Sequence, residues 1–281
     1  MNAWKRKFGK LRQRAALQPH PLRWVASGLW ARLLYWSGLC SLFTTDRGLY
    51  RVRFSRSAMS FAMWRAPDYW REEEAFFRSR LSPGDFVVDV GANIGANALL
   101  SAALVGPRGK VIAIEAHPTT FRYLQSNIEL NAFSNMIAYQ YAIGASSGLT
   151  RFSDSMADDS MNRVEEGGAI EVPLVTLDEL LVAQAGEIDL LKVDVEGYER
   201  FVFVGASKTL ARTKAIYFEV YERNFERFGY RTADVLRALA THGFASYVVD
   251  GRGEGERVSE DFVPERRMNL LALREKQLAH R

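Results

Sequence analysis

Phe86-Val87-Val88-Asp89-Val90-Gly91-Ala92-Asn93-Ile94-Gly95 is the stretch whose reading decides the fold. Four of the five residues before Gly91 are apolar, the pattern of a strand buried on both faces of a parallel sheet, and the alanine-rich run from Ile94 to Val105 reads as the helix that follows. A strand that passes through a glycine bend into a helix is expected to leave backbone N–H groups at the helix start, free for a ligand.

Lys110-Val111-Ile112-Ala113-Ile114-Glu115 reads as a second buried strand, and its acid falls 20 residues after Gly95. In an open α/β fold that separation brings a carboxylate to a ribose diol, so the two runs together point to a nucleoside ligand. A dinucleotide fingerprint starting at Gly91 would need glycines where Asn93 and Ala96 stand, which argues against a nicotinamide cofactor.

Asp89-x-Gly91-x-Asn93-x-Gly95 resembles the first motif of S-adenosylmethionine-dependent methyltransferases, in the form found in the FkbM family of O-methyltransferases. Leu191-Lys192-Val193-Asp194-Val195-Glu196-Gly197-Tyr198-Glu199 resembles that family's other hallmark, and the likeness runs from about Pro83 to about Asn224. Ala116 departs from it, standing where the family usually has proline. The resemblance implies a Rossmann-like class I methyltransferase fold, an α/β domain whose mostly parallel sheet carries helices on both faces. It also implies S-adenosylmethionine as cofactor and a hydroxyl of a small-molecule, glycan or lipid-linked sugar as acceptor.

On that reading Gly91 and Gly95 let the backbone approach the methionine portion, Asp89 neutralises its ammonium and Glu115 accepts both ribose hydroxyls. Asn93 holds either the turn or the cofactor carboxylate. Ala142, Ile143 and Gly144 are expected to end the third strand beside adenine, and His117 either adjoins adenine or caps a helix. Strand alternation would put Lys192, Asp194 and Glu196 on one face. Charges on a central strand must pair or lie beside the ligand, so Asp194 and Glu196 are candidates for orienting the hydroxyl or removing its proton, with Lys192 fixing them. Glu199 reads as a first-turn helix acid. Glu219 ends the next strand and is a candidate for substrate binding or, with Asp194, for a divalent cation such as magnesium; whether a metal is used is left open.

At 281 residues, 48% apolar and 12% aromatic, the chain can bury a full α/β core plus an appendage. A single cysteine, Cys40, excludes an internal disulfide and a cysteine-clustered zinc site, and fits a reducing cytoplasm. The net charge of +4 is asymmetric: residues 1–60 carry +11 and the remainder −7. Such a basic leader attracts anionic lipid or nucleic acid, or pairs with the acidic remainder. Two rival functions follow from it: a nucleic-acid methyltransferase, disfavoured because no Pro-Pro pair occurs, and a non-catalytic Rossmann-like module docked at a membrane.

Residues 1–66 are expected to form a basic extension and 67–281 the methyltransferase domain. Trp24 to Phe43 holds one charge, Arg32, and reads as a helix packed on the domain, an interfacial membrane helix or a span, with peripheral membrane contact through residues 1–45. Residues 46–66 read as an edge hairpin, and Asp68 to Leu81 as a helix with Tyr69, Phe76, Phe77 and Leu81 inward. Beyond the two motifs the pattern predicts helix 118–131, strand 136–143, a lid loop from Ser153 to Gly168, and a Thr176-x-x-Glu179 capping box on a helix reaching Ala185. Strands at 188–195 and 215–221, helix 232–242 and strands near 246–250 and 268–273 follow, the last two forming an antiparallel edge by resemblance. Oligomeric state is not fixed by any of these patterns.

Overall fold

The computed structural model describes residues 21–66, 68–155, 161–250 and 253–275. In chain order its elements begin with α1 (Pro21–Ser37), β1 (Thr44–Asp46), β2 (Arg51–Arg53), α2 (Ala58–Arg65) and α3 (Arg71–Arg80). Then come β3 (Phe86–Val90), α4 (Ala96–Val105), β4 (Lys110–Ile114), α5 (Pro118–Asn131), β5 (Met136–Tyr139), β6 (Ala142–Ile143), β7 (Gly148–Phe152) and β8 (Ile170–Val175). The remainder is α6 (Leu177–Leu180), β9 (Ile188–Val193), α7 (Glu199–Val204), α8 (Ser207–Ala211), β10 (Thr213–Val220), α9 (Glu222–Glu226), α10 (Thr232–Thr241), β11 (Phe244–Asp250), β12 (Gly253–Arg257) and β13 (Met268–Arg274).

Eight strands form one sheet in the order β12-β11-β13-β10-β9-β3-β4-β5. The five from β10 to β5 are parallel, and β13 runs antiparallel between β10 and β11. From β3 the chain winds outward through β4 and β5, then crosses back to β9 on the other side. The strand order thus reverses beside β3, and ligands of open α/β sheets lie outside the carboxyl ends at such a point. This is the expected Rossmann-like architecture.

Side-chain alternation splits the core into two layers. Val88, Val90, Leu191, Val193, Ile216 and Phe218 meet α7 and α10 on one face, and Val87, Leu190, Ala215 and Tyr217 meet α3 and α4 on the other. Tyr50, Val52 and Met63 belong to this second layer, and the amides of Arg51 and Arg53 donate to Asn131 and Asn127 of α5. Residues 50–63 are therefore stitched into the core of the sheet.

Several expectations need correction. The predicted strand 136–143 is broken at Gln140-Tyr141, and β6 joins a separate three-stranded sheet in the order β6-β8-β7. Of residues 46–66, only β2 and the end of β1 make a hairpin; Ser57 caps α2 by accepting the amide of Ser60, which turns the rest helical. Tyr69 is exposed rather than inward, since α3 begins only at Arg71. Thr176 caps as expected, but Glu179 bonds Ser147 instead of closing the box, and the helix is a single turn. The expected lid is anchored at both described ends: Phe152 bridges Val164, and Asn162 accepts the amide of Ser155. Residues 156–160 of that lid, and the basic leader up to residue 20, lie outside the described residues.

α1 ends at Ser37, short of the expected Phe43. Among the described residues no helix is long and apolar enough to cross a membrane.

Candidate active site

The bend after β3 is built from its own backbone. Gly91 and Ala92 both donate to the Ile114 carbonyl at 2.9 Å, Asn93 N donates to Glu115 Oε2 at 2.9 Å, and Ile94 N donates to Asn93 Oδ1 at 2.7 Å. Gly95 N donates to the Ala92 carbonyl. The N–H groups of the bend itself, 91–95, are thus met by the neighbouring strand end, Asn93 and Ala92, so the donors expected for a ligand are those of the helix start from Ala96 onward. Asn93, at φ 51°, holds the turn through its own side chain.

Glycine is required at Gly91 for a reason that links the two motifs. Its φ is +80°, and a Cβ there would lie 1.9 Å from the Asp194 carbonyl oxygen. The second motif therefore passes directly over the first, and Asp194 N donates to the Val90 carbonyl at 3.0 Å. Gly95 takes φ +95°, and a Cβ there would also press on the Leu124 side chain of α5 at 2.6 Å. The position does not line the cavity described below.

Alternation along β9 stops at Val193, so the expected single face of Lys192, Asp194 and Glu196 does not form. Lys192 Nζ lies 3.0 Å from Asp89 Oδ1, donates to the Gly91 carbonyl at 3.0 Å, and stands 3.7 Å from Asp194 Oδ2. Burial raises the Asp89 carboxyl against the pull of Lys192; at Lys192 burial is outweighed by the Asp89 and Asp194 carboxylates, which hold the ammonium protonated. Asp89, 1% exposed, lies beneath the cavity with its charge already met. Lys192 stands beside Oδ1, where a cofactor ammonium was expected, while Oδ2 accepts no hydrogen bond among the described residues.

Glu196 takes a left-handed backbone at φ 54° and turns away from Lys192. Arg267 grips it with both terminal nitrogens at 3.0 and 2.8 Å, Asn224 donates to it at 2.9 Å, and Arg267 Nε reaches Glu219 at 3.4 Å. Burial, then the Asp194 charge, raises the Glu196 carboxyl, and burial with Asp194 and Glu196 raises Glu219 well above the usual range; Arg267 opposes both. Glu199 is fully buried, accepts the Val195 amide at 2.9 Å, and is pushed up to about 8 chiefly by desolvation. It ties down the 194–199 loop from below.

One cavity of about 740 Å³ gathers most of these groups. Gly91, Asn93, Glu115, Ala142, Lys192, Asp194, Glu196 and Glu219 line it, a size ordinary for small-molecule sites. Glu115 is held by the amides of Asn93 and His117. Ala116, Ala142, Phe152 and Val164 make an apolar wall beside it. His117 does not line the cavity; it precedes α5 and pairs with Asp154 at 3.2 Å.

Met59, Trp70, Glu73 and Arg267 also line the cavity and were not singled out in the sequence; Tyr69, expected inward on a helix, lines it as well. The one available signal was the pair Arg266-Arg267 at the mouth of an otherwise apolar strand.

Asp194, Glu196 and Glu219 offer oxygens within 4.8 Å of one another. They fit a divalent ion poorly: the Arg267 guanidinium already supplies positive charge there, and both Glu196 oxygens accept its N–H groups. The cavity fits S-adenosylmethionine better, since it joins a carboxylate at the second strand end, an apolar wall and a close-approach glycine.

Residues 89–246 match the family model for the methyltransferase FkbM domain. The chain is 27% identical over 226 residues to the hexuronic acid methyltransferase AglP of Haloferax volcanii, covering 78% of this chain and 87% of that protein. It is 32% identical over 144 residues to methyltransferase 1 of Beauveria bassiana, covering 43% and 57%. The solved FkbM methyltransferase of Methylobacillus flagellatus is similar at a TM-score of 0.47 and 15% identity, covering 76% of this chain and 52% of that one. By its sequence match across more than half its length, this chain belongs to the FkbM family of S-adenosylmethionine-dependent methyltransferases.

Proposed function

We propose that this methyltransferase acts on a sugar hydroxyl, in a glycan or a lipid-linked saccharide. The observation that carries the reading is that one cavity is lined both by the 91–93 bend with Glu115 and by the Asp194, Glu196 and Glu219 carboxylates. The hexuronic acid methyltransferase relative supports a sugar acceptor.

S-adenosylmethionine, when bound, would supply a methyl group on a sulfonium, open to attack by an oxygen nucleophile with the neutral thioether as leaving group. Glu115, oriented by two backbone amides, accepts the ribose diol. Gly91 gives the methionine portion close access, and the Ala116, Ala142, Phe152 and Val164 wall takes the adenine and excludes water there. Asp194, the most accessible acid of the triad with its side chain 29% exposed, orients the acceptor hydroxyl. Glu219, with the raised proton affinity noted above, takes the hydroxyl proton as the oxygen–carbon bond forms and the sulfur–carbon bond breaks. Glu196 fixes Arg267, which sets the charge felt by Glu219. Lys192 positions Asp194 and the Gly91 carbonyl, leaving Asp89 a buried counter-ion.

Calorimetry with S-adenosylhomocysteine, followed by mass spectrometry of oligosaccharide and lipid-linked saccharide fractions incubated with labelled methyl donor, tests both parts. Label on a sugar oxygen is expected; label confined to nucleic acid or to amines would overturn the acceptor assignment.

A further inference from the structure

α1 carries apolar residues on both of its sides. Ala31 and Leu34 face inward onto Phe54, with Tyr35, Phe61 and Trp64 packed around them. Leu29, Trp30, Leu33 and Trp36 recur at helical spacing on the opposite side and are 58%, 50%, 61% and 89% exposed. The surface continues past the helix through Leu39, Leu42 and Phe43, all exposed. A helix apolar on both sides calls for a second apolar phase.

Charge identifies that phase. α1 contains no acid, Arg32, Arg51 and Arg56 are exposed, and residues 1–60 carry +11. A second copy of the chain would bring two such segments together and meet repulsion, whereas an anionic lipid surface is attracted by each cation. Tryptophan suits the headgroup boundary because its ring is apolar and its N–H is polar. Over the described residues the helix runs 17 residues, about 25 Å, and carries the exposed Arg32 in its midst, so this stretch fits lying in the interface.

We infer that the outer face of α1, with Leu39, Leu42 and Phe43, docks this enzyme on an anionic bilayer. α1 rests on α2, whose Met59 lines the cavity. On the proposed sugar-acceptor reading, docking would thereby hold one wall of the cavity near lipid-borne substrates.

Flotation of the full-length protein with phosphatidylcholine vesicles, with and without about 30% phosphatidylserine, tests this. The protein is expected to float with the anionic vesicles only. Leu33→Ser with Trp36→Ser should cut that partitioning by roughly tenfold or more, and Trp36→Phe should retain it. Unchanged S-adenosylhomocysteine binding certifies that the variants are folded. Absence of flotation, or equal flotation of the double variant, would overturn the inference. So would a concentration-dependent dimer, seen by sedimentation, that the same double variant dissociates.

Discussion

Lys192→Met tests the buried network under the site. The substitution keeps the stem but removes the ammonium 3.0 Å from Asp89, leaving a carboxylate 1% exposed without its counter-ion. Breaking one partner of a buried pair costs about 3–5 kcal/mol, a Tm fall of roughly 5–9 °C at this size. The deficit depends on pH. An acid whose folded pKa is raised binds its proton more tightly when folded, so the variant loses stability as pH rises from the unfolded value through the folded one. Calorimetric melting should therefore show a smaller gap to the parent at pH 5 than at pH 8. Asp89→Leu combined with Lys192→Met removes both charges and should restore most of the loss. It does not restore the donor to the Gly91 carbonyl, so S-adenosylhomocysteine affinity should stay about fivefold weaker, one lost hydrogen bond. A single variant costing under about 1 kcal/mol, or a double variant no more stable than the single, would refute the reasoning.

Glu115→Gln should weaken S-adenosylhomocysteine by about tenfold or more in calorimetry, because charge-assisted bonds to the ribose become neutral. Asp194→Asn should lower kcat by roughly 10²–10⁴-fold while leaving that affinity within a few fold; an equal loss of both would move Asp194 to the cofactor side. Glu219 must be unprotonated to accept a proton, so kcat should climb with pH through a value above the ordinary carboxylate range, and Glu219→Gln should abolish that limb. Glu199, raised from 4.5 to about 8, makes the folded protein lose stability as pH rises across that window. Glu199→Gln should remove this slope in melts from pH 5 to 9, leaving the variant relatively more stable at the alkaline end.

How far the sequence could be read depended on the range of the interaction. The buried strands β3, β4 and β9 were legible because a strand covered on both faces must be apolar along its length, whatever packs on it. Gly91 and Glu115 were legible because their spacing is set by the crossover between adjacent strands. The break at Gln140-Tyr141 was not: Tyr139 ends β5 beside β4, while Ala142 pairs with Leu174, a partner far along the chain. Alternation past Val193 misled for a similar reason. The left-handed turn at Glu196 is stabilised by Arg267 and Asn224, which lie on other elements and leave no local signature. The Lys192 partner of Asp89 was not legible because a motif position says where a carboxylate sits on a strand, not which cation reaches it.

These misreadings converge on the contact between Gly91 and the Asp194 carbonyl. A methyl group at Gly91 would need the second motif to move, since a Cβ 1.9 Å from a backbone oxygen cannot be absorbed by a side-chain rotation. The cofactor bend and the acid-bearing loop are thus one backbone unit, joined also by the Asp194 amide on Val90 and by Lys192 reaching Asp89 and Gly91 together. A displacement of one segment is transmitted to the other because close-packed interiors deform little. Gly91→Ala is accordingly expected to lower S-adenosylhomocysteine affinity and to shift the pH dependence of kcat, by changing where Asp194 stands relative to Glu219. Loss of affinity with an unaltered pH profile would show that the two segments respond independently, and the coupling argued from their contact would fail.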